Sequence, residues 1–164
     1  MRVYHGGLAE VRVPEIRKGE YVGDFGVGFY VTTSLEQARR FVRTKGNREK
    51  TTSGVVSEYE LDEKLLAVPF KGLSFSGPTE EWAKFVSANR KRPSFNHDFD
   101  YVRGPVANDQ VYATFSFYEG GLISFEMLLE QLKVRKLFDQ ILLHTDRAVR
   151  LLRFVKSETV TWER

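Results

Sequence analysis

Cysteine is absent from the chain. Disulfides and cysteine-ligated zinc are therefore excluded, and the composition suits a reducing compartment. Histidine is scarce, at three residues. His97 and His144 have no partners at metal-ligand spacing, so they read as structural or surface residues and no metal is expected. No apolar run approaches the ~20 residues that a membrane helix needs. Met1-Arg2-Val3-Tyr4 shows no apolar h-region, so neither a signal peptide nor a membrane partner is expected and the chain reads as cytoplasmic. Charge of one sign does not dominate. A net charge of +3 with a pI of about 9.1 permits contact with nucleic acid or acidic surfaces without requiring it.

What is present is enough for one folded domain over residues 1–164. A chain of this length buries roughly 70% of its unfolded surface and needs no covalent staple. Val3-Tyr4-His5 reads as a strand ending at Gly6-Gly7, and Gly28 to Val31 as a second strand. The stretch Val11 to Glu20, around Pro14, reads as loop or short strand. Ser34 with Gln37 three residues on forms a capping box. It opens a helix that buries Leu35, Ala38, Phe41 and Val42, turns Arg39, Arg40 and Arg43 outward, and stops near Gly46. A loop over Lys45 to Ser53, a strand over Val55 to Leu61 and a further strand candidate over Leu65 to Phe70 follow.

Gly77-Pro78 precedes a helix carrying Trp82, Phe85 and Val86, with Arg90-Lys91-Arg92 in its last turn and Pro93 ending it. Phe99 to Val106 reads as a strand. Asn108 caps a helix through Tyr118, and Ser124 starts another with Leu128 and Leu132. Gln140 to His144 reads as a strand, Ala148 to Leu152 as a helical turn, and Phe154 to Trp162 as a last strand. Strands scattered among helices without a βαβ rhythm predict an α+β fold.

Two stretches carry chemistry. Tyr4-His5-Gly6-Gly7 and Asp24-Phe25-Gly26-Val27-Gly28-Phe29-Tyr30-Val31-Thr32-Thr33 each set a polar ring beside glycines at a strand end. A phosphate loop is excluded, because the second stretch is not G-x-G-x-x-G and no GK[ST] follows it. Asp24-Phe25-Gly26 is also a kinase tripeptide, but H-R-D and the strand lysine are missing. A flat nicotinamide ring needs an aromatic face and nearby backbone partners for its amide. A ribose hydroxyl needs a neutral imidazole. His before Gly-Gly and Tyr after Gly-x-Gly-Phe supply those groups where the backbone approaches closely.

This pattern resembles the His-Tyr branch of the ADP-ribosyltransferase superfamily. From about residue 3 to about residue 155 the chain is similar to a bacterial family of uncharacterised, toxin-like domains placed there. The stretches Phe99-Asp100-Tyr101-Val102-Arg103-Gly104-Pro105-Val106-Ala107-Asn108-Asp109 and Asp139-Gln140-Ile141 extend the likeness. The resemblance implies an α+β core with a split β-sheet and a cleft for NAD as substrate. It implies that His5 bonds the adenosine-side ribose, that the Gly6 backbone holds the nicotinamide amide, and that Tyr30 stacks on the nicotinamide. Tyr4, Gly28, Phe29, Thr32 and Arg39 complete the implied NAD-contacting set. The third catalytic position of the superfamily is usually Glu, and Gln140 is the candidate here. Gln bonds a hydroxyl but cannot act as a base, which favours transfer of a single ADP-ribose. Asp109 is read either as a first-turn acid facing the helix dipole or as a base near the nicotinamide ribose.

The implied activity is mono-ADP-ribosyl transfer from NAD to a macromolecular acceptor, protein or nucleic acid. A role as a toxin neutralised by a partner protein, or in defence against phage, is implied with it. Two other readings stay open on the residues. One is an NAD-binding module without turnover, motivated by Gln140. The other is a nucleic-acid-binding domain using Arg39, Arg40, Arg43, Lys45, Arg48, Lys50 and the cluster at residues 90–92.

Overall fold

The computed structural model of the chain describes residues 1–17, 23–91, 95–133 and 137–164, except the side chain of Asp109. Expectations resting on Glu20, Arg92 and Pro93 lie outside the described residues.

Among the described residues, two sheets and five α-helices make an α+β fold. The first sheet is antiparallel, in the order β1 (Arg2–Gly7), β3 (Ser53–Leu61), β7 (Leu152–Thr161). The second has the order β2 (Phe29–Val31), β6 (Asp139–Leu143), β5 (Tyr101–Pro105), β4 (Gly72–Ser74), with β4 parallel to β5. The sheets meet at one bridge. Tyr4 N–H donates to Thr32 O at 2.8 Å and Thr32 N–H donates to Tyr4 O at 2.9 Å.

The helices cover what the sheets leave apolar. α1 (Leu35–Arg48) lays Ala38 and Val42 on Val56 and Val160 of the first sheet. Between the sheets, Val3, Tyr59 and Leu61 pack with Phe29, Val31, Ile141 and Leu143. The far face of the second sheet, with Val102 and Leu142, is covered by α2 (Glu80–Lys91), α3 (Asp109–Glu119) and α4 (Phe125–Lys133) through Trp82, Phe115 and Leu128. A short α5 (Asp146–Val149) leads into β7. No helix among the described residues is long and apolar enough to cross a membrane.

Capping signals carry through. Ser34 accepts from Gln37 N–H at 3.2 Å and Asn108 accepts from Val111 N–H at 3.0 Å. Other expectations are corrected. α1 ends at Arg48, close to Gly46, and takes four residues of the expected 45–53 loop; Gly46 itself lies under the Trp162 ring, where any side chain would collide. Phe41 is 40% exposed rather than buried. Leu65 to Phe70 is no strand: Asp62 caps a single 3-10 turn, Glu63–Leu66, by accepting from Lys64 N–H at 3.0 Å. The strand that joins the sheet there is the three-residue β4, too short to show a period of two.

Candidate active site

The site grows from the point where β1 and β2 part. Met1 exchanges backbone bonds with Leu61, so every second residue from it, Val3, His5 and Gly7, turns its N–H and C=O toward β3. Tyr4 and Gly6 turn theirs the other way, toward β2. Tyr4 uses them on Thr32. Continuing that antiparallel register sets Gly6 opposite Tyr30, but the strands have diverged there. The N–H and C=O of Gly6, a buried residue, therefore face the gap between β1 and β2. A side chain at Gly6 would run into the Ala38 carbonyl of α1, since its Cβ would lie 2.5 Å from that oxygen. Glycine is what allows β1 to lie this close beneath the helix.

His5 is the wedge in this seam. Its Nδ1 lies 2.8 Å from Tyr30 O, and its ring stacks on Phe29 with centroids 4.3 Å apart. A carbonyl only accepts, so Nδ1 carries the proton and Nε2 is left as an acceptor. Burial lowers the pKa of His5, with the Lys45 charge adding to it and the Tyr30 bond opposing. The imidazole is thus neutral and in one tautomer, with Nε2 on the Gly7 side.

The opposite wall is the turn 23–28. Gly26 has φ of 103°, in the left-handed region that glycine tolerates. Its N–H donates back to Gly23 O at 3.2 Å. The Tyr30 hydroxyl closes this turn, donating to Gly26 O at 2.6 Å and accepting from Phe25 N–H at 3.0 Å. Behind it, His97 Nε2 donates to Phe25 O at 2.7 Å, and His144 reaches Val27 O at 2.6 Å. His97 and His144 therefore fix the turn from the back. Among the described residues no cluster of metal-binding side chains is found.

Asp24, in the same turn, is a buried acid bonded to the candidate Gln140 that sequence reasoning passed over. Its carboxylate is 4% exposed. Oδ2 accepts from Gln140 Nε2 at 2.8 Å and from Ala107 N–H at 3.1 Å, and Oδ1 accepts from the Tyr112 hydroxyl. Burial pushes its pKa up, while those three bonds and the charge of Arg90 pull the other way. Arg90 lies over the Tyr112 ring at 4.2 Å. The one sequence signal for this centre is a lone acid inside an otherwise apolar, glycine-rich stretch. Its partners stand 83, 88 and 116 residues away, so spacing alone could not reveal them.

The structure brings three sequence candidates, His5, Tyr30 and Gln140, into one bonded chain. His5 holds Tyr30 O, the Tyr30 hydroxyl holds the turn at Phe25 and Gly26, and Asp24 of that turn holds Gln140. Tyr30 is opposite Leu142, so Tyr30 and Gln140 share one face of the second sheet, while His5 lies toward the core between the sheets. Asp109 begins α3; its side chain lies outside the described residues.

The remaining expected NAD contacts are engaged in the framework. Tyr4 packs under α1 with Ala38 and Val42. Phe29 is 7% exposed, between His5 and Tyr59. Gly28 backs onto Leu142 and Leu143. The Thr32 hydroxyl donates to Asp139 O at 2.8 Å and accepts from Ser34 N–H at 3.1 Å. Arg39 is held by Glu158 through two bonds of 2.6 and 3.0 Å. In the basic cluster of α1, Arg40 is likewise paired, with Glu36. The two ion pairs reduce the free positive charge that a nucleic-acid surface would use.

No curated protein and no solved structure matches the chain. A protein-family model described as "Protein of unknown function (DUF3990)" matches residues 1–154, and the chain belongs to that family.

Proposed function

We propose that the seam between β1 and β2 binds NAD and that the chain transfers a single ADP-ribose from it, as a mono-ADP-ribosyltransferase. The observation that carries this reading is the pair of Gly6 backbone groups that face the gap between β1 and β2, opposite Tyr30 in register. One N–H and one C=O on the same residue match the acceptor and donor of a primary carboxamide. Beside them, His5 is held neutral with Nε2 as acceptor, the form that takes a hydrogen bond from a ribose hydroxyl. Gln140 supplies a third contact that bonds a hydroxyl without removing its proton.

The chemistry is substitution at the ribose C1′. The bond from C1′ to the pyridine nitrogen breaks and its electron pair stays on nicotinamide, which leaves neutral. The acceptor forms a bond to C1′ and gives up its proton to solvent or a base. Gly6 orients the leaving group, His5 and Gln140 fix the two riboses, and this positioning replaces the search for a reactive pose. Water as acceptor gives hydrolysis of NAD.

The test is nicotinamide release from NAD by the purified chain, alone and with cell lysate, with label followed into protein and nucleic-acid fractions. Release is expected, and the labelled fraction identifies the acceptor class. The analogue carrying a carboxylate in place of the carboxamide has no N–H for the Gly6 carbonyl and is expected to react at least about a hundredfold more slowly. Binding of NAD without release would favour the binding-module reading, and absence of binding would refute the NAD reading.

A further inference from the structure

We propose that Asp24 is a positioning residue that acts through Gln140, fixing its carboxamide so that Oε1 is the atom offered to a ligand hydroxyl. This rests on the NAD reading above and assigns a role to a residue outside its contact set. Gln140 Nε2 lies 2.8 Å from Asp24 Oδ2 and 3.5 Å from Pro105 O. Both neighbours are acceptors, so the amide must present its NH2 to them. Oε1 is thereby turned away from the carboxylate, and among the described residues no hydrogen bond to it is recorded. A free glutamine rotates its amide end with nearly equal ease either way. Here a buried carboxylate removes that freedom.

The rest of the geometry makes the hold firm. Asp24 is itself fixed by Ala107 N–H, from the loop before α3, and by the Tyr112 hydroxyl of α3, so it does not follow Gln140 if Gln140 moves. Gln140 sits opposite Gly104 in the sheet, and the Phe25 and Phe75 rings pack over that glycine. The arrangement also explains why a carboxylate does not stand at position 140. It would face Asp24 at hydrogen-bond distance in a place where burial already disfavours charge. The Asp–Gln pair needs one carboxyl group and leaves one outward acceptor, where two carboxylates would have to share a proton.

The experiment is a double-mutant cycle on nicotinamide release, with kcat and KM measured for the wild type, Asp24→Ala, Gln140→Ala and the double variant, beside the side-chain amide signals of Gln140 by NMR. Asp24→Ala is expected to lower kcat/KM about ten- to a hundredfold in the wild type and by no more than about twofold in the Gln140→Ala background. The Gln140 amide signals should exchange slowly with water in the wild type and rapidly in Asp24→Ala. Equal losses in both backgrounds would overturn the proposal and leave Asp24 a support of the fold alone. Unprotected Gln140 signals in the wild type would overturn it as well.

Should Asp24→Ala fail to fold, Asp24→Asn carries the test, since it keeps the volume and an oxygen for Ala107 and Gln140. Its smaller loss must again vanish in the Gln140→Ala background, and a loss that persists there refutes the proposal. A wild-type chain that neither binds nor cleaves NAD removes the premise and overturns the role. The Gln140 signals distinguish that failure from failure of the pair, because they report the pair without NAD.

Discussion

The two walls of the seam are built by opposite means. The β1 wall offers backbone: Gly6, itself buried, turns an N–H and a C=O toward the gap between β1 and β2, and His5 adds one acceptor nitrogen. The wall at 23–30 offers almost none. Its turn is closed by the Tyr30 hydroxyl, held from behind by His97 and His144, and anchored by a buried Asp24 with three donors. One wall has hydrogen-bonding capacity left over, and the other has used its own on itself. Substitutions in the second wall should therefore cost stability first, whereas suitably chosen ones in the first should cost only ligand.

Asp24→Ala breaks the comparison at its strongest point. It removes the carboxylate that the Ala107 N–H, the Tyr112 hydroxyl and the Gln140 amide share, and a loss of about 3 kcal/mol is expected in urea unfolding. Tyr30→Phe is the next largest. It keeps the ring and removes the hydroxyl that serves Phe25 and Gly26, for about 1–2 kcal/mol. Because the ring remains, nicotinamide release per folded molecule should fall little if the ring is what meets the ligand.

His5→Asn tests the other wall. The Asn amide NH2 can replace Nδ1–H toward Tyr30 O, but nothing replaces Nε2. Melting should drop by only a few degrees, for about 1 kcal/mol, while NAD turnover is lost.

Acidity separates the walls in another way. The pKa of His5 and of His97 is lowered by burial, so the unfolded chain takes up protons first, and their contribution to stability is lost as pH falls below about 6.5. Asp100, held well below the carboxylate range by Arg147, loses its contribution only at still lower pH, below its ordinary value of 3.8. Asp24 runs the other way, since its raised pKa favours the protonated folded form as pH falls. Urea midpoints should therefore decline between pH 7 and 5, and the decline should be steeper in Asp24→Asn, which removes the opposing group. An unchanged slope in that variant would contradict the burial of the charge. The smallest effect belongs to Arg39→Ala. Its exposed pair with Glu158 contributes little to stability, and KM for NAD should not move.

Much of the frame was legible because it is local. Ser34, Asn108 and the turn glycines announce their elements within four residues, and the alternation of β3 shows directly. What was hidden depends on distant partners. Phe41 fits an apolar stripe, yet α1 covers only a three-stranded sheet and leaves it exposed. The reason for a glycine at position 46 appears only once Trp162 is seen against it. In the site, His5, Gly6 and Tyr30 stood out through their glycines. Asp24 did not, since its meaning comes from Gln140, Tyr112 and Ala107, which only the fold brings near. Thr32 and Phe29 share the motif with Tyr30, but alternation along β2 sends them into the framework.

The most direct measurement is nicotinamide release from NAD by the wild type beside His5→Asn, with both proteins shown to be folded by thermal melting. Release by the wild type and its loss in a folded His5→Asn variant is the predicted result. No release by the wild type, or equal release by both, would contradict the assignment of the β1–β2 seam as the NAD site.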